Sequence, residues 1–399
     1  MRTGVGGFQP VRLTQARESL GLTKVALATL VNVSAATVTN WENGKQSPEC
    51  DKLTALSNTL NMPTHWFLKE IPFESSTPYF YRSLSSATRV ARDTTKIKLD
   101  WMAEVTSTLG QWFEWPQLRL PENTKHFMAM SEEDIEVLAI EFRQLVGLGN
   151  GPIQDVVLAV ENAGVICARG DVGYDKMDGV SHWHDHLERP FIFLASDKNN
   201  GVRSRFDAAH ELGHVILHKH INKSEHNSTT IQLIEKQADF FAGALLLPSD
   251  SFAKDLSKPT LETFLALKRR WKVSIAAMIY RAWQLEIIDD LQKSNLFKRL
   301  SVKRWRIREP LDDDLPIEEP RILPRAVRML TDQGVCRKED LLDKLGLSAG
   351  LSTMLCSLPE GFFSPHQPTY DNLVNFKVPT RTNTENVHKA DIININQWK

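Results

Sequence analysis

The residues best suited to chemistry stand together at positions 210–214, which read His-Glu-Leu-Gly-His. On a helix, residues four apart lie on one face about 5–6 Å from each other, so His210 and His214 could bind one metal ion. Glu211 would lie beside that ion and could take a proton from a water molecule, whose pKa zinc lowers toward about 7. This HExxH spacing is typical of zinc-dependent peptidases, and we predict Glu211 to be the general base.

A third metal ligand must come from elsewhere in the chain. His218 is excluded because it lies eight residues, or about 12 Å of continuous helix, beyond the first motif histidine. His220 has the spacing of HExxHxxGxxH, but Leu217 stands where that motif needs a glycine to end the helix. Glu235 borders the apolar face of a second predicted helix, where a carboxylate needs a charged partner or a metal. We predict one zinc ion per chain, bound by the two motif histidines and Glu235, with His220 as the alternative third ligand.

The elements around these residues can also be predicted. The apolar run Pro190–Ala195 indicates a strand, which we expect to bind an extended peptide by β-augmentation. Asp239 follows Glu235 by one helical turn and is predicted to accept the free N–H of a ligating histidine. Three histidines alternate over residues 182–186, as on one face of a strand. We expect them to line a substrate groove, with a second metal site as the alternative.

Two stretches resemble the ImmA/IrrE family of metallopeptidases: RFDAAHELGH at 205–214 and EKQADFFAGALLLP at 235–248. The resemblance extends over about 135–288. It implies a zincin-like mixed α/β core, the zinc ligands predicted above, and Glu211 as the general base. Asp239 departs from the family pattern, which usually has Asn there. Family members are often intracellular regulators that cleave a repressor or a partner, so the resemblance implies an endopeptidase with a protein substrate.

A second motif lies near the N-terminus. Thr23 is predicted to cap a short helix, Val31–Val33 to form a tight turn, and Ser34 to cap a second helix over Ala35–Glu42. This is helix-turn-helix spacing, in which the second helix enters the major groove of DNA. The segment from about Val11 to Leu68 resembles the XRE (Cro/C1-type repressor) domain, and the resemblance implies a double-stranded DNA operator as partner.

The resemblance also places individual residues at the DNA. Asn40 could bond adenine, and lysines could reach phosphates. Two alanines at the leading edge of the second helix depart from the polar residues common there, so the operator sequence cannot be predicted. The predicted DNA-contacting residues are Lys24, Ser34, Ala35, Ala36, Thr39, Asn40 and Lys45.

Composition limits the protein class. At 399 residues and 42% apolar content, the chain is long enough for two or three globular domains. A net charge of −1 excludes an overall cationic protein. Its four cysteines form no CxxC pair, which is typical of a reducing compartment. No apolar run reaches the ~18 residues of a membrane span, and no signal sequence is evident. We therefore expect a cytoplasmic protein.

We predict a mostly helical α+β fold divided into five segments. These are a helix-turn-helix domain (1–70), a helical connector (71–121), a peptidase domain (122–295), a helical extension (296–363) and a polar flexible tail (364–399).

The combined hypothesis is a DNA-binding transcriptional regulator, expected as a homodimer, whose zinc endopeptidase switches gene expression. It would cut a repressor or partner protein, or itself within the linker Ile71–Pro78, with the connector Tyr79–Trp115 as relay. The alternative is a non-enzymatic repressor or antitoxin-like regulator that uses an inert peptidase fold as a sensor. Loss of the general base would favour that alternative, but Glu211 is present.

Overall fold

The N-terminal helices form as their caps predict. The computed structural model describes residues 4–72, 77–81, 88–171, 177–196, 200–222, 225, 227 and 229–364. The Thr23 and Ser34 side chains accept the backbone N–H groups of Ala26 and Thr37, so each begins a helix. Asn32 makes the predicted turn in left-handed backbone (φ 53°). The first four helices are α1 (Pro10–Ser19), α2 (Lys24–Leu30), α3 (Ala35–Glu42) and α4 (Cys50–Leu60).

The connector contains one strand and one helix. β1 (Tyr79–Tyr81) precedes α5 (Arg89–Leu109), a single helix of 21 residues. The prediction of helix from Tyr79 onward is wrong for these three residues, because a run of aromatic side chains favours a strand when a neighbouring edge is available. Of the predicted linker Ile71–Pro78, positions 73–76 lie outside the described residues.

The rest of the chain is mostly helical, and the predicted α+β class is confirmed. The strands are β2 (Ile166–Gly170), β3 (Gly179–His184) and β4 (Arg189–Ala195). The helices before and between the motifs are α6 (Glu132–Leu145), α7 (Val156–Asn162), α8 (Gly201–Leu217) and α9 (Ile231–Leu246). Those that follow are α10 (Ser249–Asp255), α11 (Leu261–Trp271), α12 (Ile275–Gln284), α13 (Asp290–Val302), α14 (Ile322–Asp332), α15 (Lys338–Leu345) and α16 (Ala349–Leu355).

The four strands form one mixed sheet in the order β1-β3-β4-β2. β3 pairs antiparallel with β1 and with β4, whereas β2 and β4 are parallel. β4 therefore has a neighbour on both sides and offers no edge. The expectation that Pro190–Ala195 binds a peptide by β-augmentation is wrong, because its backbone groups are already used within the sheet.

The sheet separates two hydrophobic cores. Phe191 and Phe193 of β4 point into a core shared by the helix-turn-helix region, α5 and the C-terminal helices α14–α16. Ile192 and Leu194 point the other way, into a core built with α6–α9 and α11–α13. The alternation of side chains along a strand produces this division. The N-terminal domain and the helical extension thus pack on one face, and the HExxH helix α8 on the other.

A buried ion pair joins the N-terminal helices to α5. Arg12 of α1 forms two hydrogen bonds with Glu104 of α5, at 2.7 and 2.9 Å, and its side chain has no exposure to solvent. Arg12 also donates to the carbonyls of Lys69 and Glu70, where the domain ends. A charge can be buried here because its donors are satisfied.

The five segment boundaries predicted from sequence stay predictions, and 365–399 lie outside the described residues.

Candidate metal centre

The centre is built on two helices that approach each other closely. Asn200 caps α8 by accepting the N–H of Arg203, and nearly all of α8 is buried. α9 crosses it at Gly213, where an added Cβ would stand 3.2 Å from the Cα of Ala238 and 3.3 Å from the Cβ of Phe241. Glycine at position 213 therefore lets the two helices come close enough for side chains on both to share one ligand.

Three side chains meet between these helices. The Nε2 atoms of His210 and His214 are 3.0 Å apart. Carboxylate oxygens of Glu235, on α9, lie 3.6 Å from the first and 3.4 Å from the second. One donor atom from each residue lies within 4.8 Å of the other two, and within the described part of the chain this is the one cluster of His, Cys, Asp and Glu with that property. The two motif histidines and Glu235 are therefore brought together as predicted.

Asp239 determines the tautomer of His210. Its Oδ1 lies 2.8 Å from Nδ1 of His210. An ionised carboxylate only accepts, so Nδ1 carries the proton and Nε2 presents a lone pair. Asp239 is one turn beyond Glu235 on α9, and it takes the position that the sequence predicted for a partner of a ligating histidine. Asp in place of the usual Asn makes this hydrogen bond charge-assisted.

A chain of three hydrogen bonds determines the tautomer of His214. The Gln237 amide nitrogen donates to the carbonyl of Phe127 at 2.7 Å, which leaves its Oε1 facing Nε2 of His218 at 3.1 Å. Nε2 of His218 must donate there, so its Nδ1 accepts from Nδ1 of His214 at 2.9 Å. Burial lowers the pKa of His218 well below its ordinary value, so this ring is neutral. His214 therefore also presents the lone pair of Nε2.

The donor set fits a zinc ion. Two imidazole lone pairs and a carboxylate converge on one point, an arrangement that is repulsive without a positive charge among them. Burial raises the pKa of Glu235, and protonated imidazoles at His210 and His214 lower it below its usual value. In the tautomers described above, a bound cation would replace those protons and keep the carboxylate ionised. Three protein ligands leave a fourth position for water or substrate, as catalytic zinc sites do.

Comparison with protein families agrees with both motifs. Residues 170–282 match the family model described as the IrrE N-terminal-like domain, and residues 13–67 match the helix-turn-helix model. The chain joins an XRE-type helix-turn-helix domain to an ImmA/IrrE-like peptidase-family domain. No curated protein matches the chain. The match to the ImmA/IrrE-like domain includes β3, β4 and the three candidate metal ligands.

Glu211 of the ImmA/IrrE-like domain is fully buried beside β3. An added Cβ on Gly179 would stand 3.0 Å from Oε1 of Glu211, so the glycine makes room for this carboxylate. His214 is fully buried as well. The centre is therefore closed to solvent on this side in the conformation described.

Two other histidine groups lie outside the centre. His220 is exposed beyond the end of α8 and is not part of the metal cluster. His182 and His184 lie on the α5 face of β3 and not at the metal centre: the His182 ring stacks on Tyr79 with ring centres 3.9 Å apart, burial lowers the pKa of His182 to about 3, and the His184 ring contacts Phe191. It is Trp183, between them, that faces α8, where it donates to the carbonyl of Val215. Alternation along the strand turns the histidines away from the metal.

Sequence reasoning missed two contributors to the centre. Gln237 and Phe127 hold the far end of the hydrogen-bond chain. Gln237 lies three residues after the apolar Ile234 on the predicted helix, so its place on the buried face could have been inferred. Phe127 contributes a backbone carbonyl, which leaves no signal in the sequence.

Some of the predicted DNA-contacting side chains are engaged within the domain, whereas others are exposed to solvent. Ser34 is engaged in capping α3, and the Thr39 hydroxyl donates to the carbonyl of Ala35. Lys24 pairs with the buried carboxylate of Glu42 at 3.0 Å. Ala36 and Lys45 are exposed, and Ala35 and Asn40 are half-buried.

Among the described helices, none has the length and apolar character that crossing a membrane requires.

Proposed function

We propose that this chain is a zinc-dependent endopeptidase joined to a DNA-binding domain, and that it regulates transcription in the cytoplasm by cleaving a protein. The convergence of two oriented imidazole lone pairs and an ionised carboxylate beside Glu211 carries the proposal. Zinc bound there would polarise the scissile carbonyl and make a water molecule acidic. The substrate is a repressor, a partner regulator or the chain itself.

The residues of the chain have distinct parts in this reaction. Glu211 takes the proton of the attacking water and returns it to the leaving amide nitrogen. Asp239 and the pair His218–Gln237 keep the two ligating imidazoles in the required tautomers, and such partners have large effects on metal affinity. Gly179 lets the Glu211 carboxylate approach β3, along which a peptide would run.

DNA binding by the N-terminal domain would bring this activity to an operator. The surface proposed for the major groove is formed by α3 and the turn after it, with Ala36, Asn40 and Lys45. Because Arg12 and Glu104 bind this domain firmly to α5, and α5 shares a core with the sheet, a change at the peptidase could reach the DNA-binding surface without a flexible linker. Cleavage would relieve repression.

The test compares new protein N-termini in host cells that express the unaltered chain or Glu211→Gln. The substitution keeps the shape and the three ligands but removes the base. We expect a small set of N-termini that requires Glu211, and a zinc content that does not change. The matched control is Glu132→Gln, an exposed glutamate at the start of α6, which should cleave normally. Identical sets of N-termini in all three strains would favour the non-enzymatic regulator.

A further inference from the structure

The edge strand β1 lies across the metal centre. β1 is the outermost strand of the sheet, and its register with β3 pairs Tyr79 with His182, Phe80 with Ser181 and Tyr81 with Val180. Phe80 stacks on the ring of the zinc-ligand candidate His214, with ring centres 5.1 Å apart and planes 11° apart.

The Phe80 side chain fills an apolar pocket next to that histidine. The pocket is formed by Phe127, Ile221 and Ile234, and the Phe80 side chain is only 4% exposed there. The Phe80 ring also lies near the ring of His218, with ring centres 5.8 Å apart. Two of the pocket residues adjoin the metal centre in other ways: Ile234 precedes Glu235, and the carbonyl of Phe127 ends the hydrogen-bond chain from Gln237. The apolar pocket and the metal centre are therefore adjacent and share the segments that carry Ile234 and Phe127.

The other side chains of β1 hold the strand from the opposite face. The Tyr79 hydroxyl donates to Asp100 and the Tyr81 hydroxyl donates to the carbonyl of Arg92, both on α5. Phe80, between them, points to the metal because neighbouring side chains alternate in a strand. The aromatic ring of Phe80 is the part of β1 that packs in the pocket.

β1 runs antiparallel to β3 along the edge that an added peptide strand would use. From Tyr79 to Tyr81 the strand moves along β3 from His182 toward Val180, and so toward Gly179, where an added Cβ would stand 3.0 Å from the Glu211 carboxylate. Peptides that add to a sheet edge use main-chain hydrogen bonds for affinity and a pocket for alternate side chains for specificity. β1 shows both features at the site where the general base lies.

We propose that the outer edge of β3 and the Phe127–Ile221–Ile234 pocket form the substrate groove, and that β1 occupies it in the resting protein. The substrate is an extended segment of a partner protein carrying a bulky apolar residue, such as Phe or Leu, at the position of Phe80. The segment must displace β1 before it can reach Glu211. This inference rests on the proposed function, since it concerns the same site.

The experiment measures binding rather than cleavage, so every protein carries Glu211→Gln. The probe is a fluorescent peptide with the sequence of residues 77–82, TPYFYR, and a second peptide has Ala in place of Phe. The open variant is the full chain with Tyr79, Phe80 and Tyr81 all changed to Gly. We expect the Phe peptide to bind this variant at least about tenfold more tightly than the Ala peptide, the preference expected from burying one aromatic side chain.

Two further measurements locate the bound peptide. Hydrogen exchange at the amides of Gly179–His184 should become faster in the open variant and slow again when the Phe peptide is added. Adding Ile221→Phe to the open variant fills the pocket and should abolish the preference for Phe while the zinc content is retained. Equal binding of the two peptides, or no binding to an open variant that keeps its zinc and its melting temperature, would overturn the proposal.

A milder pair of variants serves if the open variant does not fold. Phe80→Ala empties the pocket, whereas Phe80→Leu keeps it filled. The Phe peptide should bind the first roughly tenfold or more tightly than the second, and equal binding would overturn the proposal. The two proposals can fail separately. Selective binding of the Phe peptide without Glu211-dependent cleavage in cells would support the substrate groove and contradict the peptidase function. Glu211-dependent cleavage without selective binding would support the peptidase function and contradict the groove.

Discussion

The metal centre and the DNA-binding surface are built in opposite ways. At the centre, His210, Glu211 and His214 are buried, Glu235 is half-buried, and the orientations of both imidazoles are determined by Asp239 and His218. On the exposed end of α3 the leading residues are alanines, and Lys24, a predicted phosphate contact, is paired within its own domain. Burial determines geometry because a buried polar atom needs a partner, whereas an exposed side chain is free to choose one. The chemistry of this chain can therefore be read from its structure in more detail than its operator.

The strongest test of the centre is removal of its candidate third ligand, Glu235. Zinc bound through four protein ligands contributes about 10–16 kcal/mol, so losing one of three ligands should cost at least about 4 kcal/mol. Glu235→Ala should weaken zinc binding about 1,000-fold or more, as measured by competition with a chelating indicator. His220→Ala is the control and should bind zinc normally. The reverse result would support the ligand set HExxHxxGxxH instead.

The junction between the two regions should be nearly as sensitive. Arg12→Ala leaves Glu104 buried without its partner, and breaking a buried pair costs about 3–5 kcal/mol. We expect denaturant unfolding to show a loss of about 3 kcal/mol in the free energy of unfolding. Arg89 pairs with Asp93 on the exposed side of α5, and Arg89→Ala should cost about 0.5 kcal/mol or less. Similar losses for the two variants would mean that the N-terminal domain is not held by this pair.

The tautomer network predicts a smaller effect on the metal. His218→Phe retains an aromatic ring but removes the acceptor for Nδ1 of His214, so that imidazole is no longer held with its lone pair toward the metal. Zinc affinity should fall about 10- to 100-fold, while His220→Phe should leave it unchanged. A zinc affinity of His218→Phe equal to that of the unaltered protein would show that His214 is oriented by packing against Phe80 alone.

The DNA-binding surface should show the smallest effects. Asn40→Ala should cost about 1–3 kcal/mol on one operator and relax specificity at one base pair. Lys45→Ala should weaken binding to all sequences and reduce the salt dependence by about one unit, whereas Lys24→Ala should do less because this lysine already pairs with Glu42. Binding titrations at several salt concentrations measure all three. A larger effect for Lys24 than for Lys45 would contradict the assignment.

The sequence was most informative where spacing alone determines geometry. The helix carrying His210 and His214, the second helix with Glu235 and the capped helix Ala35–Glu42 all formed as predicted, because helical periodicity and caps are local properties. The strand Tyr79–Tyr81 could not be predicted, since three residues become a strand only when a distant edge such as β3 receives them. The true orientation of histidines 182–186 depended on the register of that same edge.

Gly213 gives the metal centre its size. The gap of 3.2 Å between the Cα of Ala238 and the position a Cβ would take at residue 213 sets how far Glu235, on α9, stands from the two imidazoles on α8. A single methyl group at this point would wedge the helices apart by a few tenths of an ångström. Zn–N bonds of about 2.0–2.1 Å and Ca–O bonds of about 2.3–2.6 Å differ by the same amount. The absence of one side chain between two helices therefore sets the spacing of the three candidate ligands, so packing as well as ligand chemistry would decide which ion fits.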